Sequence, residues 1–375
     1  MSGLTRIERS TLAAIAVLSV LAGVADYGAW AVLPRFLLAT FALAGLAWVV
    51  SFATEQLGER FGPGVTGMMQ STLGNLPELF VVIFALQKGE LVIAQTAIVG
   101  SVLANALLVL GLVIVVGARR APDGIMRFSK RLPRDTATLL QVTVFIIVLL
   151  GLSLASHDPA SHHVKAISIV GAICLLVVYL AWVVPYLRSD PLPELAPDGA
   201  SAGREDAAPE SAQAQAIAGP AGTRLSLGVT IVLLIVAGSA SAFVSDWFVN
   251  GLQPAIKLLH ISQAFAGLVI VAIAGNAVEN TAGLVLAFKG RSDLAISVVK
   301  NSVAQIAAFL FPVLVLVSLA LKTTLTFALA PVYIGALALT ALSLWQVTGD
   351  GEAAEFEGWA LVALYVILGT LTLYE

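Results

Sequence analysis

The chain has 375 residues, of which 59% are hydrophobic and only 11% charged, and its mean hydropathy is +0.95. Soluble globular domains carry about 25% charged residues. The composition therefore excludes a soluble protein and requires an integral membrane protein whose spans satisfy their own backbone groups. The net charge of −3 says little by itself. Nothing points to a nucleic-acid partner; the expected partner is the lipid bilayer. Cys174 is the only cysteine, so an intramolecular disulfide is impossible and a cysteine-based metal site has no second ligand. Strand-period alternation is absent, which argues against an outer-membrane barrel.

A helical span needs about 20 apolar residues. Eleven candidates follow in chain order: 11–32, 35–54, 64–87, 91–117, 134–155, 164–187, 225–247, 262–287, 293–319, 324–346 and 356–374. The basic stretch Met1–Ser10 has the look of a signal-peptide start. The run behind it is long enough to span and no convincing cleavage site follows, so it reads as a retained first helix. The second span ends Ser51-Phe52-Ala53-Thr54-Glu55. In the third, Ser71, Asn75 and Glu78 are spaced i, i+4, i+7 and share one face. In the fourth, Ser101 and Asn105 share a face. His157, Asp158, His162 and His163 fall in the 5–6 loop, which reads as solvated rather than metal-binding.

Residues 189–223 are rich in Ala, Pro, Gly and Ser and hold six acids against Arg204. Such a segment lacks the apolar surface to order itself, so it reads as an acidic, flexible, cytoplasmic linker. The seventh span ends Val244-Ser245-Asp246, so each half carries an acid near the end of the span before its central glutamate. The spacing is 23 residues from Glu55 to Glu78 and 33 from Asp246 to Glu279, which puts an insertion in the 7–8 loop. The eighth span places Asn276 and Glu279 on one face. The ninth does the same with Ser302 and Gln305, and also holds Lys300.

Two segments are near copies. Gly74-Asn75-Leu76-Pro77-Glu78 recurs as Gly275-Asn276-Ala277-Val278-Glu279, Lys88-Gly89 as Lys289-Gly290, Ala94 as Ala295 and Ser101 as Ser302, always 201 residues apart. The linker separates five spans from five, and because five is odd the second set runs with opposite orientation. The expected architecture is an all-α membrane protein of about eleven transmembrane helices, helix 1 plus two inverted five-helix repeats. The parts are an accessory first helix over 1–34, a first repeat over 35–188, the linker over 189–223 and a second repeat over 224–375. With the N-terminus inside, fourteen of the 20 Lys and Arg face the cytoplasm and five the outside, Lys300 being left in a span. That bias predicts a cytoplasmic N-terminus in a cell (inner) membrane.

An ionised group in hydrocarbon is expensive, so an intramembrane acid is a functional residue by default. Glu78 and Glu279, with amide and hydroxyl oxygens around them, form an oxygen-rich set of the kind hard cations take. Protonated, the carboxylates are tolerable in an apolar cavity; ionised, they need a cation. Proton and metal therefore compete for the same oxygens, and the two acids titrate as a pair. Gly74, Gly275 and Pro77 are suited to bending or breaking the helices at that depth.

The runs beginning GNLPELFVVIFALQKG and GNAVENTAGLVLAFKG, with the flank of Glu55, resemble the paired signature repeats of the calcium/cation antiporter superfamily, in its calcium/proton exchanger branch. The resemblance covers roughly residues 35–346. It implies eleven helices, an acidic loop between halves, and exchange of cytosolic calcium for protons by alternating access. It also implies Glu78 and Glu279 as central metal ligands, with Asn75, Asn276, Gln95, Ser101, Ser302 and Gln305 near them. Asn105 and Asn280 complete the expected ion- and proton-binding set, and Glu55, Asp246 and Lys300 are candidates for access or modulation. The chain departs from the family pattern at Asn280 (usually His), at Asn301 (usually Gly) and at Lys300. A fixed positive charge near the site would disfavour a divalent ion, so a sodium or potassium/proton antiporter of the same fold is the alternative. Lys300 snorkelling to the interface is the plain reading. From another class, a non-transporting membrane scaffold would have no reason to keep two symmetric buried acids. An intramembrane enzyme would need a nucleophile beside a base, or a metal centre, and no such cluster recurs. No cofactor is expected beyond the transported cation and proton.

Overall fold

The computed structural model describes residues 4–58, 73–129, 131–188 and 225–375. The helices are α1 (Arg6–Tyr27), α2 (Val32–Gly58), α3 (Leu76–Gln87), α4 (Leu91–Arg120), α5 (Arg131–Ser156), α6 (Val164–Arg188), α7 (Leu227–Leu259), α8 (Gln263–Gly275), α9 (Ala277–Phe288), α10 (Ser292–Ser318), α11 (Pro331–Thr348) and α12 (Glu355–Leu373). Among the described residues nine helices are long and apolar enough to cross a membrane, or ten if α8 and α9 form one bent span. The third predicted span lies partly, and the linker wholly, outside the described residues. The protein is a multi-pass, helical membrane protein.

Several expected boundaries move, each for a local reason. The first helix starts at Arg6 rather than 11. Thr5 caps it, accepting from Glu8 N, while the Glu8 carboxylate accepts from Thr5 N; this reciprocal box satisfies two orphan donors. Gly28 and the left-handed Ala29 end it. The seventh span continues through Asp246 to Leu259, where left-handed His260 stops it. The extra residues of the second half are therefore helical and not a loop. At 1.5 Å per residue α7 is about 50 Å long, more than the ~30 Å hydrocarbon core. The tenth span was expected from 324 but begins at Pro331. Residues 319–330 are not helical. Ser318 Oγ accepts from Leu325 N at 2.8 Å, and Ser168 Oγ accepts from Phe327 N at 3.2 Å. Leu325 and Phe327 are fully buried.

A two-stranded antiparallel ribbon, unforeseen in the sequence, pairs β1 (Ile125–Arg127) with β2 (Glu352–Ala354). Arg127 bonds Asp123 at 2.7 Å and Arg119 bonds Glu355 at 2.7 Å beside it. The Arg127 side-chain hydrogen bond holds the Asp123 carboxyl below the usual carboxylate range. The ribbon ties the loop between α4 and α5 to the loop between α11 and α12.

The helices group into two compact units, each drawing on both halves of the sequence. One comprises Met1–Val81, Val183–His260 and Ala274–Ala282; the other comprises Val82–Trp182, Ile261–Ile273 and Gly283–Glu375. In the first unit α7 lies along α2, and α1 lies against both. In the second, α12 packs on α4, α5 on α10 and α11, and α4 on a π-helical turn of α8 at Ala266–Val271. That last contact is backbone-close. A Cβ at Gly100 would sit 2.5 Å from Leu268 Cα and O, and one at Gly267 would sit 1.9 Å from Thr96 Oγ1. Gly100→Ala is therefore expected to lower stability by about 1–3 kcal/mol, the cost of overpacking a core. Gly335→Ala, with open space around it in α11, is expected to be neutral or stabilising by up to about 1 kcal/mol. Thermal unfolding in detergent checks both.

Candidate ion-binding site

Each GNxxE segment is a helix break followed by a restart. Asn75 and Asn276 are single non-helical residues between helical stretches. Behind them the ladder resumes identically, Leu79 N to Asn75 O at 2.9 Å and Asn280 N to Asn276 O at 3.0 Å. The break between α8 and α9 bends the span by 58°. Pro77 falls in the first turn of α3, where a missing N–H costs nothing, so it starts a helix rather than kinking one. Glu78 and Glu279 consequently both occupy the first turn of a restarted helix, α3 and α9. The positive end of a helix favours an ionised carboxylate there.

Within the first unit the two segments meet. A Cβ built on Gly275 would lie 3.7 Å from Glu78 Cβ, ordinary contact distance, so the backbone of the second motif rests on the acid of the first. Glu78 is 1% exposed, and Asn75 and Asn276 are buried. Ser245 Oγ, from α7, donates to Pro77 O at 3.3 Å. Reading from sequence missed Ser245. Its signal was the hydroxyl directly before the acid in each half, Thr54-Glu55 and Ser245-Asp246. Asp246 itself is half-buried and accepts from Asn250 Nδ2 at 3.3 Å. The side chains of Glu55 and Glu279, and all of Ser71, lie outside the described residues. Asn280 is half-buried, and its Oδ1 has no hydrogen-bond donor among the described residues.

The second unit gathers a polar set of its own. Asn105 Nδ2 donates to Ser302 Oγ at 3.2 Å, and Asn105, Ser101, Ser302 and Gln305 are all buried. Asn105 lies in a π-helical turn, Ala104–Val109, and Gln305 directly precedes the matching turn Ile306–Leu310. Such turns widen the helix and recur at functional sites. The loops between the paired helices also match, with φ of +85° at Gly89 and +75° at Gly290. Both lie in the region that favours glycine.

Gln95 lies on α4 half-buried, with Nε2 donating to Ala328 O at 2.9 Å. Lys300 is enclosed by protein. It is 1% exposed and donates to Thr348 Oγ1 in the last turn of α11. Thr348, which in turn donates to Leu344 O at 2.5 Å, was not foreseen. Asn301 is also buried, and its Oδ1 has no donor among the described residues. In the 5–6 loop, Asp158 caps a short 3-10 helix, accepting from Ser153 Oγ and from Ala160 and Ser161 N. The Ser153 hydroxyl and these N–H groups hold its carboxyl below the usual range. Among the described residues no three His, Cys, Asp or Glu side chains gather closely enough to hold a metal.

The fold and these paired helix breaks define a multi-pass membrane protein built on a duplicated broken-helix motif. The chain belongs to the sodium/calcium exchanger protein family, whose model matches residues 32–186 and 229–374. It is 28% identical over 343 residues to the Ca(2+)/H(+) antiporter of Aphanothece halophytica, covering 91% of this chain and 90% of that one. It is 29% identical over 355 residues to the vacuolar calcium ion transporter of Schizosaccharomyces pombe, covering 92% and 80%. Its structure resembles that of native YfkE with a TM-score of 0.76 at 25% identity, over 97% of this chain and 100% of that one.

Proposed function

We propose that this protein is a secondary-active antiporter that exchanges cytosolic Ca2+ for H+ by alternating access, with Glu78 and Glu279 as the central pair. The observation that carries this is the contact between the two repeat motifs, Gly275 against Glu78, with both acids in the first turn of a restarted helix. The antiporter and calcium-transporter names of the relatives support the ion. On this reading each carboxylate is neutral when it carries a proton, and is stabilised by its helix end and the cation when it does not. Asn75, Asn276 and Asn280 join them, and the family resemblance adds Gln95, Ser101, Asn105, Ser302 and Gln305 as oxygen donors. Glu55 and Asp246 are assigned to ion access. The repeats over 35–188 and 224–375 are taken to be inverted, joined by the cytoplasmic linker, with 1–34 accessory. The N-terminus is placed in the cytoplasm of a cell-membrane protein, because the basic 4–5 loop then lies inside.

A second reading, a sodium or potassium/proton antiporter, is favoured by one observation. Lys300 is a buried ammonium where the first repeat has Val99. Everted vesicles separate the two. A preset proton gradient is expected to dissipate on adding calcium, and not on adding sodium or potassium at equal concentration. Dissipation by sodium or potassium alone would reverse the assignment.

A further inference from the structure

An apolar groove of about 340 Å3 opens where the first turns of α1 and α7 lie side by side, within the first unit. Leu4, Leu12, Leu225, Gly228, Val232 and Val236 line it. Its floor is the cluster of Leu4, Phe52 and Leu225, with Trp48 stacked on Phe52. The groove follows two membrane-spanning helices, so its length runs through acyl chains and its mouth lies at headgroup level.

The mouth is positively charged. Arg6 and Arg9 are exposed on the first turns of α1, between Leu4 and Leu12, which line the groove, and Arg9 is an i, i+3 neighbour of Leu12. Neither makes a salt bridge with a described residue. The nearby acid, Glu8, is buried and turned back onto Thr5 N in the capping box. Helices α1 and α7 both begin here, and neither carries an acid in its first turn besides Glu8. Two helix starts and two arginines at one rim complement a phosphate.

We infer that this groove is a binding site for an anionic phospholipid, one acyl chain lying along α7 and the phosphate held by Arg6 and Arg9. Gly228 is integral to it. A Cβ there meets nothing within 4 Å, so the backbone at this position leaves the groove open to a side chain.

The test is native mass spectrometry of the full chain released from a neutral detergent, with phosphatidylglycerol or phosphatidylcholine added in equal amount. The expected result is a retained one-lipid adduct about tenfold more populated with phosphatidylglycerol, the preference two interfacial arginines supply. Replacing both arginines, Arg6→Ser with Arg9→Ser, should remove that preference. Gly228→Leu should remove the adduct of either lipid while leaving the melting temperature unchanged. Should Gly228→Leu lower the melting temperature, Val232→Trp, at a position 59% exposed, blocks the same groove from its rim and gives the same readout. Equal adducts of the two lipids, or an adduct that survives both blocking variants, would overturn the proposal. So would a wild-type dimer that Gly228→Leu converts to monomer, which would make the occupant a second copy of the chain.

Discussion

Glu78→Gln and Glu279→Gln are each expected to reduce calcium-driven proton movement in everted vesicles to the level of vesicles without the protein. Glutamine preserves shape and a carbonyl oxygen but can neither ionise to balance a cation nor carry the exchanged proton. Glu78 is buried in the first turn of α3 with the backbone of Gly275 against it, and no other carboxylate on α3 can take its place. Folding should survive, because removing an ionisable group from an apolar site relieves a desolvation cost. Monodisperse elution with an unchanged melting temperature would show that. Wild-type exchange in either variant would sink the paired-glutamate mechanism. Gly275→Ala is the companion measurement. Its Cβ would make only ordinary contact with Glu78, so it should retain exchange.

The second large effect is expected at Lys300. Its ammonium is buried and bonded to Thr348 Oγ1. Burying an ionisable amine costs desolvation that an apolar side chain of similar length does not incur, whereas a buried group left without its hydrogen-bond partner is costly. Lys300→Met should therefore keep or raise the melting temperature. Thr348→Val, which takes away one acceptor from a charged donor, should lower stability by about 1–3 kcal/mol. If the charge also acts on the ion site, Lys300→Met and Lys300→Val will raise the ratio of calcium-driven to sodium-driven proton flux. An unchanged ratio in both variants would confine Lys300 to tying α10 to the end of α11.

Much of this protein is legible without coordinates, and particular residues show where that stops. Span boundaries follow from apolar runs where a breaker is present, as with Leu91 after Gly89-Glu90; the restart at Leu76, inside the span expected over 64–87, does not. Hydropathy fails at residues 324–330, because it measures the wish to be buried and not the way burial is achieved. Leu325 and Phe327 are buried without a helix because the hydroxyls of Ser318 and Ser168 take their backbone N–H groups. It fails in the opposite sense after Asp246, where an acid in an otherwise helical run was taken for a span end. α7 runs on past it, through Gly251 and Pro254, and ends only where His260 turns left-handed.

By itself the sequence determined the class, the family and the duplication. An 11% charged composition leaves only a membrane solvent for the chain, and a repeat that keeps register at a constant offset of 201 residues survives any choice of span edges. It also named Asn105 and Ser302 as members of one polar set. Only the tertiary structure decided that they bond each other, that Gly275 is the residue resting on Glu78, and that Lys300 turns to Thr348. The physical reason is range. Composition and periodicity report how each residue meets its solvent and its helix, which are local properties. Hydrogen bonds between residues 48 and 197 apart, and a glycine set against a glutamate from the other repeat, depend on where whole helices come to rest.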